Sequence, residues 1–409
     1  MSTDPNFPDH LVNIETSFNV PDDILNDFTV QEVVLVESLR NPGLQTTIKA
    51  HSYLYNIPNK NLDGWKNAIG ALTFTRPILA KFGFPDTLDV QQRIYRLSNR
   101  KLINNNNEEY IINMCDDTLL NDARSLVSDQ WNCTSPSDIV SQVLQQCTGA
   151  RKLDVEQSTP ARDYIAENIH PFQVVAQQAE VALAEGNDPS FVHYMTYEDY
   201  GTHHFRSLKS LTQQSSIIDL SYTETGESKM DFGSQYAGYK NPRGIMQYSF
   251  PCDFDLLSDL LNGVDVDGKN ISSLVVINPL SKEASVVGNK AVGCGIGGGV
   301  YKTAMTNMNT AQQQDSCNID VETHLKERQA RMNLLEQDKV ALRLTVPWNP
   351  IYHAGKVITI KLYNKNKEGV LLYGSGDYLI STMVHTIKRG GFSTTTMDCV
   401  STTVGKGIV

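Results

Sequence analysis

The carboxy-terminal stretch, residues 340–400, constrains the fold more than any other part of the sequence. Apolar, β-branched and aromatic residues alternate there with polar ones, and Gly, Pro and Asn separate the runs. The runs are residues 340–346, 358–363, 378–387 and 393–400. This alternation predicts antiparallel strands with one covered face and one solvated face. No catalytic pattern lies on these strands, so we expect the sheet to act by building a shape.

The amino-terminal part of the chain predicts another β-rich unit. Residues 1–27 carry prolines among Asp and Asn residues, which indicates either an extended arm that is ordered where it lies on another element, or a floppy tail. Residues 28–117 contain several strand patterns. The clearest is a hairpin over residues 92–115, whose tip is a run of asparagines, a residue type that tolerates positive φ.

Residues 118–215 predict a helical and α/β module inserted between larger β units. Asp117 is placed to cap a helix over residues 119–130, and a short amphipathic helix follows it. Pro171 predicts the first turn of another helix, which Gly186 would end. Two strand patterns with a turn between them complete the module.

The remaining segments predict a second β unit with a long insertion. Residues 216–240 begin with a strand pattern and are expected to join residues 340–402 in this unit. Residues 241–339 predict loops and the longest helix, over residues 318–338. The hairpin at residues 378–399 echoes that of the first unit, which indicates an internal duplication or two unrelated hairpins. The predicted fold is α+β and mostly β, with long connecting loops.

The charge balance argues against a protein that grips nucleic acid. The 409 residues carry a formal net charge of −11, and the best basic cluster, Arg206 with Lys209, is too small to form a patch. An acidic surface repels phosphate rather than holding it. The sequence has no apolar run of ~18 residues and therefore predicts no membrane span. Its polar amino terminus lacks the pattern of a secretory signal.

The seven cysteines predict reduced thiols and folding in the cytosol. Their number is odd, they are widely spread, and none forms a CxxC pair. This spacing argues against a disulfide framework and against structural zinc. The cysteines are Cys115, Cys133, Cys147, Cys252, Cys294, Cys317 and Cys399.

Two further motifs lack the context that a ligand site requires. The glycine-rich run at residues 293–299 resembles a phosphate-binding loop, but a poor helix follows it, without a Walker lysine and Ser or Thr. Asp265 and Asp267 suggest a calcium loop, but the twelve-residue spacing with its terminal Glu is absent. We interpret the first as a surface loop and the second as a polar turn, and predict no cofactor.

His203 and His204 are adjacent in the sequence. Neighbouring residues of a strand point to opposite faces, so both rings cannot serve one metal from regular β structure. A mononuclear site with His193 and Asp199 stays open, but packing among nearby aromatic rings is favoured because metal-ligand spacing is absent. No nucleophile-elbow or HExxH motif occurs. We therefore predict no catalytic, cofactor-binding or metal residue, although distant carboxylates can still meet in the fold.

Taken together, these patterns resemble the trimeric baseplate hub of contractile-tailed bacteriophages and the hub region at the amino terminus of type VI secretion spike proteins. The resemblance covers residues 28–400. In the first unit it rests on VVLVESL, TTIKAHS, GALTFTRPI, QRIYRLS and EEYIINMC, and in the module on IHPFQVVAQQAEVALAEGNDPSFVHYMT. The most telling segments are WNPIYHAGKVITIKL, a corner rich in Pro and Gly followed by a strand, and GDYLISTMVHTIKRGGFSTTTMDCV, a hairpin.

The resemblance implies two similar β-barrel tube domains with the α/β module inserted between them. Three chains would form a pseudo-sixfold ring that adapts the sixfold tail tube to a threefold central spike and lines the DNA channel. The implied partners are further copies of the chain, a separate spike chain, tail-tube or tube-initiator proteins, baseplate wedge proteins and the tape-measure protein. DNA would pass without specific binding. The implied location is the baseplate of the virion tail, without membrane insertion, after folding in the host cytoplasm.

Other functions stay open at this level. The chain could be the hub of a related machine, such as a secretion system or the tail tip of a siphophage. A tail-associated cell-wall hydrolase would need a clustered carboxylate or metal site. A receptor- or glycan-binding tail protein is suggested by the Tyr and Trp content.

Overall fold

The structure is a computed structural model that describes residues 11–19, 29–53, 66–104, 107–223, 242–251, 273–278, 283–287, 301–305, 342–363 and 373–401. Three features from the sequence lie outside these residues: the glycine-rich run, the turn at Asp265 and Asp267, and the helix predicted over residues 318–338. Part of the predicted amino-terminal arm is described, and residues 13–18 form an edge strand there.

The chain is α+β and mostly β, which confirms the predicted fold class. The strands are β1 (Asn13–Phe18), β2 (Thr29–Ser38), β3 (Gln45–Tyr53), β4 (Ile69–Thr75), β5 (Thr87–Asn104), β6 (Asn107–Cys115), β7 (Val127–Thr134), β8 (Lys152–Val155), β9 (Arg162–Ile169), β10 (Phe191–Thr196), β11 (Thr202–Ser207), β12 (Asp219–Thr223), β13 (Gln247–Ser249), β14 (Ser273–Asn278), β15 (Glu283–Val287), β16 (Tyr301–Met305), β17 (Leu342–Pro347), β18 (Val357–Tyr363), β19 (Gly376–Lys388) and β20 (Thr394–Val400). The α-helices are α1 (Asp117–Arg124), α2 (Pro136–Val143), α3 (Pro171–Ala179) and α4 (Leu208–Thr212).

The largest sheet has twelve strands, and their order reveals an internal duplication. The first unit, β1–β6, has the spatial order β1-β4-β5-β6-β3-β2. The second unit, β12, β13 and β17–β20, has the order β12-β18-β19-β20-β17-β13. When the six strands of each unit are numbered along the chain, both units have the same spatial order, 1-4-5-6-3-2. The units differ at one margin, where β1 pairs antiparallel with β4 but β12 pairs parallel with β18.

The two hairpins compared in the sequence, β5–β6 and β19–β20, occupy the same place in the two units. Each has a bulge at the equivalent point of its first strand, at Tyr95 in β5 and at Ser381 in β19. The pairing of β5 with β6 shifts register twice more, between Ser98 and Lys101 and between Leu102 and Asn104. The bulges at Tyr95 and Ser381 lie just beyond the segment that pairs with β4 or with β18. Because a bulge bends a strand and increases its twist, the two hairpins bend at equivalent points.

The two units are joined edge to edge by β2 and β19. These strands pair antiparallel, from Ser38 opposite Thr382 to Glu32 opposite Lys388. The hydroxyls of Ser38 and Thr382 lie 2.9 Å apart. The two similar units are therefore halves of one continuous sheet, and the path of described strands stays open at its ends.

The twelve-stranded sheet has one buried and one uncovered face, as the alternation in the sequence predicts. In β20, Met397 and Cys399 are fully buried while the residues between them are partly exposed. In β6, Ile112 and Met114 are likewise buried. Each unit has its own apolar core on the buried face. Removal of this apolar area from water is the main force that holds the strands in register, at roughly 25 cal/mol per Å².

The module between the units packs on the buried face of the sheet. It contains α1–α4, the three-stranded sheet β10-β11-β8 and the pair β7–β9, around a core of its own. Met195 and Tyr197 from the module enter the core of the first unit, together with Trp348 from the corner that follows β17. None of these elements lies on the opposite face of the sheet, which is therefore uncovered as far as the described residues go.

One element of the module differs from the sequence-based prediction. The helix expected over residues 119–130 ends at Arg124, and β7 follows. The reason is tertiary: β7 pairs antiparallel with β9, and it buries Val127 and Trp131 in the core of the module. Contacts with distant residues thus override a local helical pattern.

Two helix ends also differ from the prediction. The cap of α1 is Asp116 rather than Asp117, because the Thr118 backbone N–H donates to Asp116 Oδ1 over 2.7 Å. The helix begun at Pro171 ends at Ala179, before Gly186. Past that end, the backbone of Leu183 bonds to Thr159 instead of continuing the helix.

Candidate functional site

His203 and His204 face opposite sides of β11, as their adjacency predicts. His203 Nε2 lies 3.0 Å from the hydroxyl of Thr118. His204 Nδ1 lies 2.9 Å from the carboxylate of Asp154, and its ring stacks on Tyr194. The two rings therefore serve separate contacts inside the module.

The alternative metal site is not assembled in the structure. His193 Nε2 lies 3.2 Å from His203 Nδ1, whereas Asp199 forms an ion pair with Lys152. Burial lowers the pKa of His203 to about 3 and that of His193 well below its ordinary value, so both rings are neutral near pH 7. Within the described part of the chain, no group of three or more His, Cys, Asp or Glu residues could hold a metal ion.

A buried carboxylate ties together the two units and the module. Glu37 of β2 is 1% exposed, and it accepts hydrogen bonds from the backbone N–H groups of Tyr197 (2.7 Å) and Ala354 (2.7 Å). His353 Nδ1 lies 2.9 Å from the same carboxylate. Burial acts to lower the pKa of His353, but the charges of Glu37 and Glu198 outweigh it and the pKa is raised. This junction was not predicted from the sequence. Protein groups already engage both carboxylate oxygens, which is the arrangement of a structural rather than a catalytic group.

An open cavity of about 700 Å³ lies beside this junction. Two of its charged groups pair with each other, since Lys356 Nζ lies 2.9 Å from Glu198, and His353 lies in the same lining. Burial acts to raise the pKa of Glu198, but His353 and Lys356 outweigh it and the pKa is lowered. The cavity is lined by Gly83, Phe84, Pro85, Thr87, Leu88, Asp89, Tyr197, Glu198, Asp199, Tyr200, Ile217, Pro350, Ile351, His353 and Lys356.

One face of eight adjacent strands, β5-β6-β3-β2-β19-β20-β17-β13, is covered by none of the elements that the structure describes. We call it the open face. It runs without a break across both units, because β2 and β19 join them. Apolar Val34, Val36, Ile111 and Val384 lie on it near the centre. Uncharged hydroxyl and amide side chains are more numerous, namely Gln45, Thr47, Ser98, Asn113, Gln247, Ser249, Thr345, Thr382, Thr386, Thr394 and Thr396.

Most basic side chains of the open face are neutralised by carboxylates on neighbouring strands. Glu109 lies 2.9 Å from Lys49 Nζ and 2.6 Å from Lys101 Nζ. These contacts hold the pKa of Glu109 at about 2, with the hydrogen bond from Lys101 as the largest cause, so it stays ionised. Arg343 and Asp398 form a two-pronged pair with contacts of 2.6 and 2.9 Å.

A longer ion pair crosses the joint, the pairing of β2 with β19 that connects the two units. There Lys388 Nζ lies 3.6 Å from Glu32. Arg96, near the bulge of β5, has no carboxylate within 4.0 Å among the residues that the structure describes. Lysines and arginines bind nucleic acid by replacing the counterions of phosphates. Where a carboxylate of the same sheet already serves as the counterion, that gain is small. The arrangement therefore suits a surface that a polyanion can pass without adhering.

No family model matches the sequence, and no curated protein matches it. Solved structures do match. The tail protein from Neisseria meningitidis MC58 has a TM-score of 0.56 at 10% identity, over 96% of this chain and 97% of that chain. The 43 kDa tail protein of prophage MuSo2 from Shewanella oneidensis has a TM-score of 0.51 at 8% identity, over 91% of this chain and 96% of that chain.

A component of the Escherichia coli type VI secretion system reaches a TM-score of 0.49 at 12% identity, over 96% of this chain and 79% of that chain. No helix in the described part of the chain has the length and apolar character needed to cross a membrane. At these identities the likeness is one of fold. The chain has the fold of phage tail proteins, in agreement with the resemblance to baseplate hubs in its sequence.

Proposed function

We propose that this protein is the structural hub of a phage tail baseplate, and that three copies form a ring. The ring adapts the sixfold tail tube to a threefold central spike and lines the channel through which DNA leaves. The observation that carries this proposal is the open face, a polar and charge-paired surface that is continuous across two similar units. Its function is geometric, and no residue of it is assigned a catalytic role.

The internal duplication supports the number of copies. A ring of three chains contains six units of like topology, which matches the symmetry of a sixfold tube on one side and a threefold spike on the other. The module packs on the buried side of the sheet, so a ring lined by the open face would carry the modules outside. There they could meet the baseplate wedge proteins, while the spike, tube or tube-initiator proteins and the tape-measure protein would contact the ends and lumen of the ring.

The first test is the mass of the assembled protein in solution. Light scattering is expected to give three times the chain mass of 45.5 kDa, because the six units need three chains to close the ring. Measurement over a range of protein concentrations, with and without the spike protein, separates a weak ring from an absent one. A protein that stays monomeric under all these conditions contradicts the proposed ring.

The second test removes the fixed counterions of the open face. The triple variant Glu32→Gln, Glu109→Gln and Asp398→Asn should bind double-stranded DNA at least tenfold more tightly than the natural protein at low salt. The physical reason is that lysines and arginines released from their carboxylates can then release phosphate counterions. Fluorescence anisotropy with a labelled duplex, from ~50 to ~200 mM salt, measures both the affinity and its salt dependence.

The matched control is Asp199→Asn, which releases Lys152 from an exposed ion pair outside the twelve-stranded sheet. It should leave DNA binding unchanged. Tight DNA binding by the natural protein, or an equal gain in the control, would contradict the assignment of the open face to the channel.

A further inference from the structure

One edge of β19 holds two partners in succession. Residues 376–379 pair with β18, the bulge at Ser381 follows, and residues 382–388 pair with β2. The opposite edge of β19 holds β20 throughout. The second partner, β2, is supplied by the first unit, so this pairing is the joint between the units.

The equivalent strand β5 presents the same edge with its second place unoccupied by any described strand. Residues 87–93 pair with β4, and the bulge at Tyr95 follows. Beyond it, the described strand that pairs with β5 is β6, on the other edge. Large apolar side chains are exposed along this segment: Tyr95 at 45%, Leu102 at 59% and Ile103 at 48%. An open strand edge with apolar side chains is a site for pairing with another strand.

The duplication also identifies the strand that fits this edge. In the first unit β2 lies outside β3, and in the second unit β13 lies outside β17. The registers agree, since Val33 lies opposite Ile48 and Tyr248 lies opposite Leu344. β13 is thus the counterpart of β2, and it ends the path of described strands.

We propose that β13 of one protomer pairs antiparallel with β5 beyond Tyr95 of the next protomer. This pairing repeats between chains the joint that β2 and β19 make within a chain. It rests on the proposed ring and specifies its contact surfaces. The occupant is a second copy of this chain, because the equivalent edge within the chain is filled by the equivalent strand. The contact is heterologous, so it joins protomers head to tail. It closes into the proposed ring when the rotation from one protomer to the next is a third of a full turn.

The duplication sets the register of the pairing. Thr386 of β19 lies opposite Thr394 on one side and Val34 on the other. Lys101 lies opposite Glu109 in the position equivalent to Thr386 and Thr394. Ser249 stands in β13 where Val34 stands in β2. Lys101 should therefore face the partner's Ser249, at a distance that a disulfide can span across antiparallel strands.

The test is a disulfide between protomers. The double variant Lys101→Cys and Ser249→Cys should form covalent dimers and circular trimers on mild oxidation, seen on a denaturing gel without reductant. Each single variant should remain a monomer on the same gel. The matched control pairs Lys101→Cys with Ser17→Cys, which lies on β1, the strand at the other end of the path. This control should give no crosslink.

A second variant tests the contact without new thiols. Leu102→Glu changes a side chain that is 59% exposed in the single chain, so the fold should persist. The protein concentration at which the ring assembles should rise at least tenfold. Light scattering separates the two levels of the proposal. A trimer without the Lys101–Ser249 crosslink, or one indifferent to Leu102→Glu, overturns the strand pairing and leaves the ring standing. A monomer at every concentration, with or without the spike protein, overturns both.

Discussion

Replacing Glu37 with Ala should lower the free energy of unfolding by about 3–5 kcal/mol, the range for breaking a buried charged pair. The carboxylate is the shared acceptor for Tyr197, Ala354 and His353. Without it, two backbone N–H groups and a histidine whose pKa is raised lose their partner inside the protein. The first unit, the module and the second unit should all loosen, since each contributes one of these groups.

Denaturant unfolding measured by far-ultraviolet circular dichroism tests this prediction. The matched control is Glu32→Gln on the same strand, whose carboxylate lies on the open face 3.6 Å from Lys388. Its loss should cost at most about 1 kcal/mol, as for other exposed ion pairs. Equal effects of the two substitutions would contradict the role of Glu37 as the junction. Glu37→Gln keeps the shape of the side chain, so its loss in free energy of unfolding should lie between those of Glu37→Ala and Glu32→Gln.

The second prediction is a steep loss of stability in mild acid. Burial lowers the pKa of His203 and of His385 to about 3, and that of His193 well below its ordinary value. These rings stay neutral in the folded chain but gain a proton near pH 6.5 when it unfolds. Stability from them is present above pH 6.5 and is lost as the pH falls below it. At pH 5 His203 and His385 should each cost roughly 2 kcal/mol, and His193 adds to the loss in the same direction.

The contribution of His353 to stability changes with pH in the opposite direction. Its pKa is raised, so its contribution is present below pH 6.5 and is lost as the pH rises through the raised value. Its contribution therefore grows as the pH falls from 7 to 5 and offsets part of the loss from the other three rings.

Unfolding at pH 7 and pH 5, at fixed ionic strength, measures this effect. His385→Gln should reduce the pH dependence by about a third, because one of three buried neutral rings is removed. His51→Gln is the control, since that ring lies on the open face at 34% exposure. This variant should keep the acid loss that His193, His203 and His385 cause. A total loss below about 2 kcal/mol between the two pH values would contradict buried neutral histidines as the cause.

Residues whose environment is set by their own strand were predictable from sequence. The alternation in residues 393–400 gives β20 and its buried side correctly, because a half-buried strand imposes a period of two on its own residues. The hairpin comparison located equivalent strands for the same reason. In contrast, the local sequence of β7 predicts a helix, and its pairing with β9 depends on residues 28 to 42 positions away.

The joint and the open face could not be predicted from the sequence, because they depend on which strand edges and sheet faces meet in the fold. Glu37 carries a signal, since it falls on the inward phase of β2 with Val33 and Leu35, where a charge requires partners. The sequence around Glu37 does not identify those partners, because His353 and Ala354 lie far along the chain. The ion pairs of the open face are hidden in the same way, because each joins different strands.

The joint between β2 and β19 also determines when, during synthesis, the sheet can be completed. The hydroxyls that meet there belong to residues 344 positions apart. At a translation rate of about 5–20 residues per second, β2 waits on the order of 20–70 s for its partner to be made. Its edge stays open to other nascent chains throughout that interval. A strand that is made late therefore protects one that is made early, and a ribosome that stalls before β19 releases a chain with a strand edge ready to aggregate.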